Sequence, residues 1–115
     1  MTVRILHNPR CSKSRATLAL LQEQGVNPEI ILYLETPPDS RQLADICRKL
    51  AIRPRQLLRT GEAEFAELGL EDESLSDAEL LHAMQVHPRL IERPIVLNQG
   101  KAAIGRPPEA VLAIL

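Results

Sequence analysis

The chain has 115 residues, of which 44% are hydrophobic and 25% charged, and its formal net charge is −1 at pH 7. This length suits one domain with a modest core, and the composition argues against disorder. The near-neutral charge and the aromatic content of 2% argue against nucleic-acid and anionic-membrane partners. No segment is apolar for long enough to span a membrane, and two cysteines do not make a disulfide scaffold, so we expect a cytoplasmic protein.

The first third of the chain predicts a βαβ unit. Residues 3–6 form a short β-like run, and residues 12–24 form a helix with a broad apolar face that stops at Gly25. The continuous apolar run over residues 29–34 predicts a buried strand parallel to the first. The crossover between two such strands should be right-handed.

The middle of the chain predicts an all-helical insertion over residues 39–88. Its first helix is indicated by apolar residues at i, i+3, i+4 and i+7, namely Leu43, Ile46, Cys47 and Leu50. Shorter helices are predicted from Pro54, which suits a first helical position, and over residues 62–68. A capping-box match at residues 76–79 predicts one more helix, which ends before Pro88.

The last quarter of the chain returns to β structure. Residues 95–97 and 102–104 predict two strands joined by a glycine-containing loop, and a short final helix opens within residues 106–109. With a cysteine at the first strand-to-helix turn and a proline opening the third strand, the pattern is α/β and thioredoxin-like. We predict a four-stranded mixed sheet flanked by helices, formed by a single domain over residues 1–115.

Cys11 lies directly between the first predicted strand and the first predicted helix. A cysteine on such a turn meets unpaired backbone N–H groups and the positive end of the helix dipole, which stabilise a thiolate and attract an oxyanion. His7, Lys13 and Arg15 add positive charge nearby. We therefore interpret Cys11 as a reactive thiol.

The other cysteine and the histidines do not extend this site. Cys47 lies on an apolar helix face and is predicted to belong to the core. His82 and His87 have no metal-ligand spacing with either cysteine, so we predict no metal site. Ser14 stands where Cys-x-x-Cys oxidoreductases have a second cysteine, and reduction must therefore depend on an external thiol.

Several separate motifs, in the right order and nearly from end to end, give the chain a family resemblance. It resembles the thioredoxin-fold, glutathione- and glutaredoxin-coupled arsenate reductases of bacteria. The matching segments are residues 7–11 (His-Asn-Pro-Arg-Cys), Ser14-Arg15, residues 31–38, Leu57-Leu58-Arg59, residues 67–70, His87-Pro88, residues 93–96 and Gly105-Arg106-Pro107.

The resemblance implies a role for each matched position. It makes Cys11 the nucleophile and His7 a second catalytic residue, at the position thought to help keep the cysteine ionised. It makes Arg59, Arg93 and Arg106 the arginines that bind the oxyanion. Asn8, Ser14 and Pro94 are the supporting residues, and Arg93-Pro94 is the candidate for the cis-proline that thioredoxin-like folds place beside their cysteine.

The reaction that the resemblance implies is reduction of arsenate to arsenite. The Cys11 thiolate would attack arsenate, and the adduct would be resolved by glutathione as co-substrate and by glutaredoxin, with no bound cofactor. Two alternatives stay open. One is a thiol oxidoreductase of the same family with another thiol or oxyanion substrate. The other is a non-enzymatic transcription regulator of the Spx type that binds RNA polymerase, although such regulators commonly carry Cys-x-x-Cys.

Overall fold

The computed structural model describes residues 2–115, which fall into two compact units. The first unit comprises the chain up to Thr36 together with Arg93–Leu115, and the second comprises Pro37–Glu92. The assignment of the whole chain to one domain stays a prediction. Within residues 2–115, no helix combines the length and the apolar character that a membrane span requires.

The first unit is built on a four-stranded mixed sheet with the order β2-β1-β3-β4. The strands are β1 (Arg4–Leu6), β2 (Glu29–Ile31), β3 (Ile95–Asn98) and β4 (Lys101–Ile104). β1 and β2 are parallel, whereas β1 pairs with β3, and β3 with β4, in the antiparallel sense. The predicted thioredoxin-like architecture, a mixed sheet flanked by helices, is confirmed.

The core of this unit lies between the sheet and two helical segments. Helix α1 (Ser12–Glu23) connects β1 to β2, and a 3-10 helix (Pro108–Ile114) follows β4. The central strands contribute Ile5 and Val96, α1 contributes Leu21, and the 3-10 helix contributes Val111, all four fully buried. The predicted final helix is therefore present, but in the tighter 3-10 form.

The prediction of a buried strand over residues 29–34 was wrong in two respects. β2 ends at Ile31 and lies at the edge of the sheet, where it has one neighbouring strand, so Ile30 is 47% exposed. Beyond it the chain turns, because the Glu35 and Thr36 amides both donate to the Leu32 carbonyl. A continuous apolar run does not distinguish a central strand from an edge strand that leads into a turn.

The second unit is largely helical, as predicted for residues 39–88. Its helices are α2 (Ser40–Leu50), α3 (Pro54–Leu57), α4 (Ala63–Glu67) and α5 (Asp77–Val86), followed by a 3-10 helix (Pro88–Leu90). Asp39 and Ser76 cap α2 and α5, each through a capping box. An isolated antiparallel bridge joins Leu58 to Ile91, and the sequence pattern did not predict it.

The hairpin between β3 and β4 has a two-residue loop, Gln99-Gly100. Both residues have positive φ, 51° and 80°. This is the backbone that a two-residue hairpin turn of the primed type requires, and glycine adopts it without steric cost. The hairpin returns the chain along β3, so that the segment after β4 starts beside the beginning of β3, where the Gly105 amide donates to the Pro94 carbonyl at 2.9 Å.

Candidate active site

Cys11 occupies the N-cap of α1, with the extended backbone (φ −96°, ψ 123°) that this position favours. The turn before it is closed by Asn8, whose carbonyl accepts the Cys11 amide at 3.0 Å and whose side-chain oxygen accepts the Arg10 amide at 3.0 Å. The Cys11 carbonyl accepts the Arg15 amide at 3.0 Å and so begins the helical ladder. The strand-to-helix turn therefore places the thiol where the first amides of the helix are unpaired.

Hydrogen-bond donors from the first turn of α1 and from the C-terminal part of the chain surround the sulfur of Cys11. The backbone amides of Lys13 and Ser14, in the first turn of α1, hydrogen-bond to it, and so does the Arg93 side chain. Arg106 Nη2 donates to Sγ at 3.6 Å, and Arg106 Nε donates to the Arg93 carbonyl at 2.7 Å. Two of the three predicted oxyanion arginines thus lie beside the predicted nucleophile.

These donors outweigh the effect of burial on the Cys11 thiol. Burial by itself raises its pKa, because a partly desolvated thiolate is unfavourable. The Ser14 amide, the Arg93 guanidinium and the Lys13 amide lower it by more, so the net pKa lies below the ordinary value. Because the thiol is also partly exposed, it has the two properties of a reactive cysteine, thiolate character and access.

His7 contacts α1 through Ser14, and both side chains are buried. His7 Nδ1 and Ser14 Oγ share a hydrogen bond of 2.6 Å, and Ser14 Oγ also accepts the Asn8 amide at 3.0 Å. Burial, together with the positive charge of Arg15, lowers the pKa of His7. This shift disfavours the charged imidazolium, and sequence proximity does not report the cost of burying it. The role of His7 at Cys11 stays a prediction.

Sequence reasoning missed two residues that pack beside Pro94 and the first turn of α1, Thr17 and Gly105. Both are buried, and Gly105 packs so closely against Thr17 and Pro94 that a side chain there would collide with both. The Arg93–Pro94 bond is cis, as the resemblance implied, and so is Arg106–Pro107. A threonine on the inner face of a helix and a glycine next to an arginine carry no signal of their own in a single sequence.

Arg59, the third predicted oxyanion arginine, lies in the second unit just after α3. Its backbone amide donates to the Leu90 carbonyl at 2.8 Å. Its side chain pairs with two carboxylates, with Nε 3.4 Å from Glu62 Oε1 and Nη1 3.3 Å from Glu92 Oε1. The role of Arg59 in anion binding stays a prediction.

The residues assigned to the core or to no site behave differently from Cys11. Cys47 is only 3% exposed, which confirms its place in the core, and burial followed by the negative charge of Asp77 raises the pKa of its thiol. No group of three or more His, Cys, Asp or Glu residues within residues 2–115 is arranged to hold a metal ion.

The mixed four-stranded sheet, with a cysteine at the N-cap of its first helix, assigns this chain to the thioredoxin-like fold class. Comparison with known proteins gives the family. The ArsC family profile matches residues 6–114, and the chain belongs to this family.

Three relatives illustrate the similarity. The arsenate reductase of Haemophilus influenzae is 52% identical over 116 residues, covering 100% of both chains. A protein of Escherichia coli K12 named uncharacterized protein YfgD is 55% identical over 114 residues, 98% of this chain and 96% of its own. The solved structure of an arsenate reductase from Vibrio cholerae has a TM-score of 0.97 at 52% identity, covering 100% of this chain and 98% of the other.

Proposed function

We propose that this protein is an oxidoreductase that reduces arsenate to arsenite through Cys11. The observation that carries the proposal is the Cys11 sulfur in contact with the Lys13 and Ser14 amides, with Arg93, and with Arg106 Nη2 at 3.6 Å. A tetrahedral oxyanion needs several converging donors, and guanidinium groups supply them in pairs. The same donors favour the thiolate, which is the nucleophilic form.

In the proposed first step, the Cys11 thiolate attacks the arsenic atom of bound arsenate. A sulfur–arsenic bond forms, and one arsenate oxygen leaves as water after taking up protons. Arg93 and Arg106 stabilise the negative charge on the remaining oxygens, and by family resemblance Arg59 joins them. The arginines stabilise the oxyanion most strongly in the transition state, where negative charge develops, and they therefore favour the transition state over the free anion.

The second half of the proposed reaction needs an external thiol. Ser14 replaces the cysteine that would form a local disulfide, and Cys47 is buried in the second unit with a raised pKa. We propose that glutathione is the co-substrate and attacks the adduct. Two sulfur atoms together give two electrons to arsenic, As(V) becomes As(III), and glutaredoxin reduces the mixed species that results. Overall, one arsenate and two thiols give one arsenite, one disulfide and water.

This chemistry also leads us to propose a cytoplasmic location. The cycle starts from a reduced Cys11 thiol and consumes two further thiols, which the glutathione pool of a reducing compartment supplies. No bound cofactor is required, because all the electrons come from thiols.

The proposal is tested by a coupled assay with arsenate, glutathione, glutaredoxin, glutathione reductase and NADPH, in which the components are omitted one at a time. We expect NADPH consumption that requires arsenate and glutathione and is stimulated by glutaredoxin. Cys11→Ser should be inactive, and Cys47→Ala, the matched control at the other cysteine, should keep most of the activity. Arsenate reduction that proceeds without glutathione would contradict the proposed thiol dependence. No reduction at all by a protein whose Cys11 reacts normally with iodoacetamide would exclude arsenate as the substrate.

A further inference from the structure

Arg106 reaches Cys11 from a segment that is fitted tightly against α1. Its neighbour Gly105 is buried, and a Cβ on Gly105 would stand 2.8 Å from Pro94 Cγ, 3.0 Å from Thr17 Cγ2 and closer still to Thr17 Oγ1. The φ of Gly105 is not positive, so glycine is required here by the closeness of its neighbours and not by its backbone conformation. The absence of a side chain lets the Arg106 segment lie directly on α1.

Thr17 is the residue of α1 on which this segment lies. It is completely buried, and its hydroxyl donates to the Lys13 carbonyl at 2.8 Å and lies 3.5 Å from the Gly105 carbonyl. A hydroxyl has a single proton, so the stronger bond is the one to Lys13. Thr17 therefore contacts, with one short side chain, both the first turn of α1 and the segment that carries Arg106.

These contacts bear on the two sets of donors around Cys11. The first set is the Lys13 and Ser14 amides, in the first turn of α1. The second is the Arg106 guanidinium, on the segment that follows β4. We propose that Thr17 and Gly105 are positioning residues, which set the distance between these two sets of donors and thereby hold Arg106 within reach of both the thiolate and a bound oxyanion. This inference deepens the proposed function and rests on it for the identity of the anion.

The first readout is the pH midpoint of Cys11 alkylation by iodoacetamide, measured in a Cys47→Ala background. Gly105→Ala should displace the Arg106 segment and raise the midpoint by about half a pH unit, because the thiolate loses a cationic donor. The matched control is Gly61→Ala, since Gly61 has no positive φ and no atom within 4 Å of the added carbon. Gly61→Ala should leave the midpoint unchanged.

The second readout is protection of Cys11 from iodoacetamide by sulfate and, separately, by arsenate. Gly105→Ala should weaken protection by about tenfold or more, as expected when one hydrogen bond to a charged group is lost. A double-mutant cycle then distinguishes positioning from general destabilisation. If Gly105 acts through Arg106, Gly105→Ala should change neither the midpoint nor the protection in an Arg106→Ala background.

Variants of Thr17 test the same inference with a smaller change. Thr17→Ser keeps the hydroxyl and should keep the alkylation midpoint and the protection of the parent, even if its melting temperature falls. Thr17→Val keeps the shape but loses the hydroxyl and should shift both readouts in the direction of Gly105→Ala. Thr36→Val is the matched control, because the Thr36 hydroxyl donates to the Leu32 carbonyl four residues earlier at an exposed site.

The proposal would be overturned if Gly105→Ala and Thr17→Val kept their full effects in the Arg106→Ala background. It would also be overturned if both variants matched the parent in the alkylation midpoint and in anion protection. If Gly105→Ala does not fold, Thr17→Val and Thr17→Ser decide alone. Neither readout requires turnover. A protein that fails to reduce arsenate would refute the proposed function, whereas this inference would still be tested by the alkylation midpoint and by sulfate protection.

Discussion

His7 Nδ1 lies 2.6 Å from the hydroxyl oxygen of Ser14, and both side chains are buried where β1 leads into α1. The same hydroxyl accepts the Asn8 amide, while the Ser14 backbone amide hydrogen-bonds to the Cys11 sulfur. Ser14 thus contacts the His7 imidazole through its side chain and the Cys11 sulfur through its backbone. The lowered pKa of His7 disfavours its charged form, and the role of His7 at Cys11 stays a prediction.

Removing the Ser14 hydroxyl should therefore destabilise the protein. Ser14→Ala leaves His7 Nδ1 and the Asn8 amide without this partner in a buried site, and we expect a loss of about 1–3 kcal/mol in the free energy of unfolding. Urea unfolding measures it. Ser12→Ala is the control, because Ser12 is exposed in the same helical turn. Equal stabilities for the two variants would show that the His7–Ser14 hydrogen bond contributes nothing measurable.

The lowered pKa of His7 predicts a dependence of stability on pH. Between the unfolded value of 6.5 and the lower folded value, the unfolded chain binds more protons, so stability rises with pH in this window and is lost as pH falls through it. We expect the free energy of unfolding to decrease below about pH 6.5. In His7→Gln this component should disappear, whereas in His82→Gln, which changes an exposed histidine, it should remain. A component that survives His7→Gln must come from another group.

Arg93 should contribute to the low pKa of the Cys11 thiol. Its guanidinium both hydrogen-bonds to the sulfur and attracts the thiolate, so Arg93→Ala should raise the thiol pKa. The pH dependence of iodoacetamide alkylation measures this in a Cys47→Ala background. The parent midpoint should lie below the reference value of 9.0. Arg4→Ala, at an exposed arginine of β1, should leave the midpoint in place. A parent midpoint at or above 9.0 would mean that burial dominates the amide and guanidinium donors.

Arg59, Arg93 and Arg106 should act together in anion binding. Each change to alanine should weaken the protection of Cys11 by arsenate or sulfate by about tenfold, and lysine should restore it only in part, because an ammonium lacks the bidentate fork of a guanidinium. Arg89→Ala, at an arginine that is 63% exposed and paired with Glu62, is the control. If one of the three alanine variants kept the protection of the parent, that arginine would not belong to the anion site.

Much of the local structure could be predicted from the sequence, because it depends on residues close together in the chain. The apolar spacing of α2, the capping box at Ser76 and the proline at the start of α3 predicted helices that the structure confirms. The strand, turn and helix around Cys11 are equally local, so the reactive position of this thiol was predictable from a few residues. The pattern was wrong for β2, since the exposure of a strand depends on where the sheet ends.

The sequence by itself therefore determined that Cys11 stands at a helix N-terminus, the position on which its proposed role as the nucleophile rests. Only the tertiary structure decided what surrounds it. Arg106 is 95 residues from Cys11 and Gly105 is 88 residues from Thr17, and these pairs meet only because the β3–β4 hairpin returns the chain to α1. The lowered pKa of His7 is likewise a result of burial. Apolar periodicity and helix caps depend on residues that are neighbours along the chain. The electrostatics of the site depend on contacts that form when distant segments pack together.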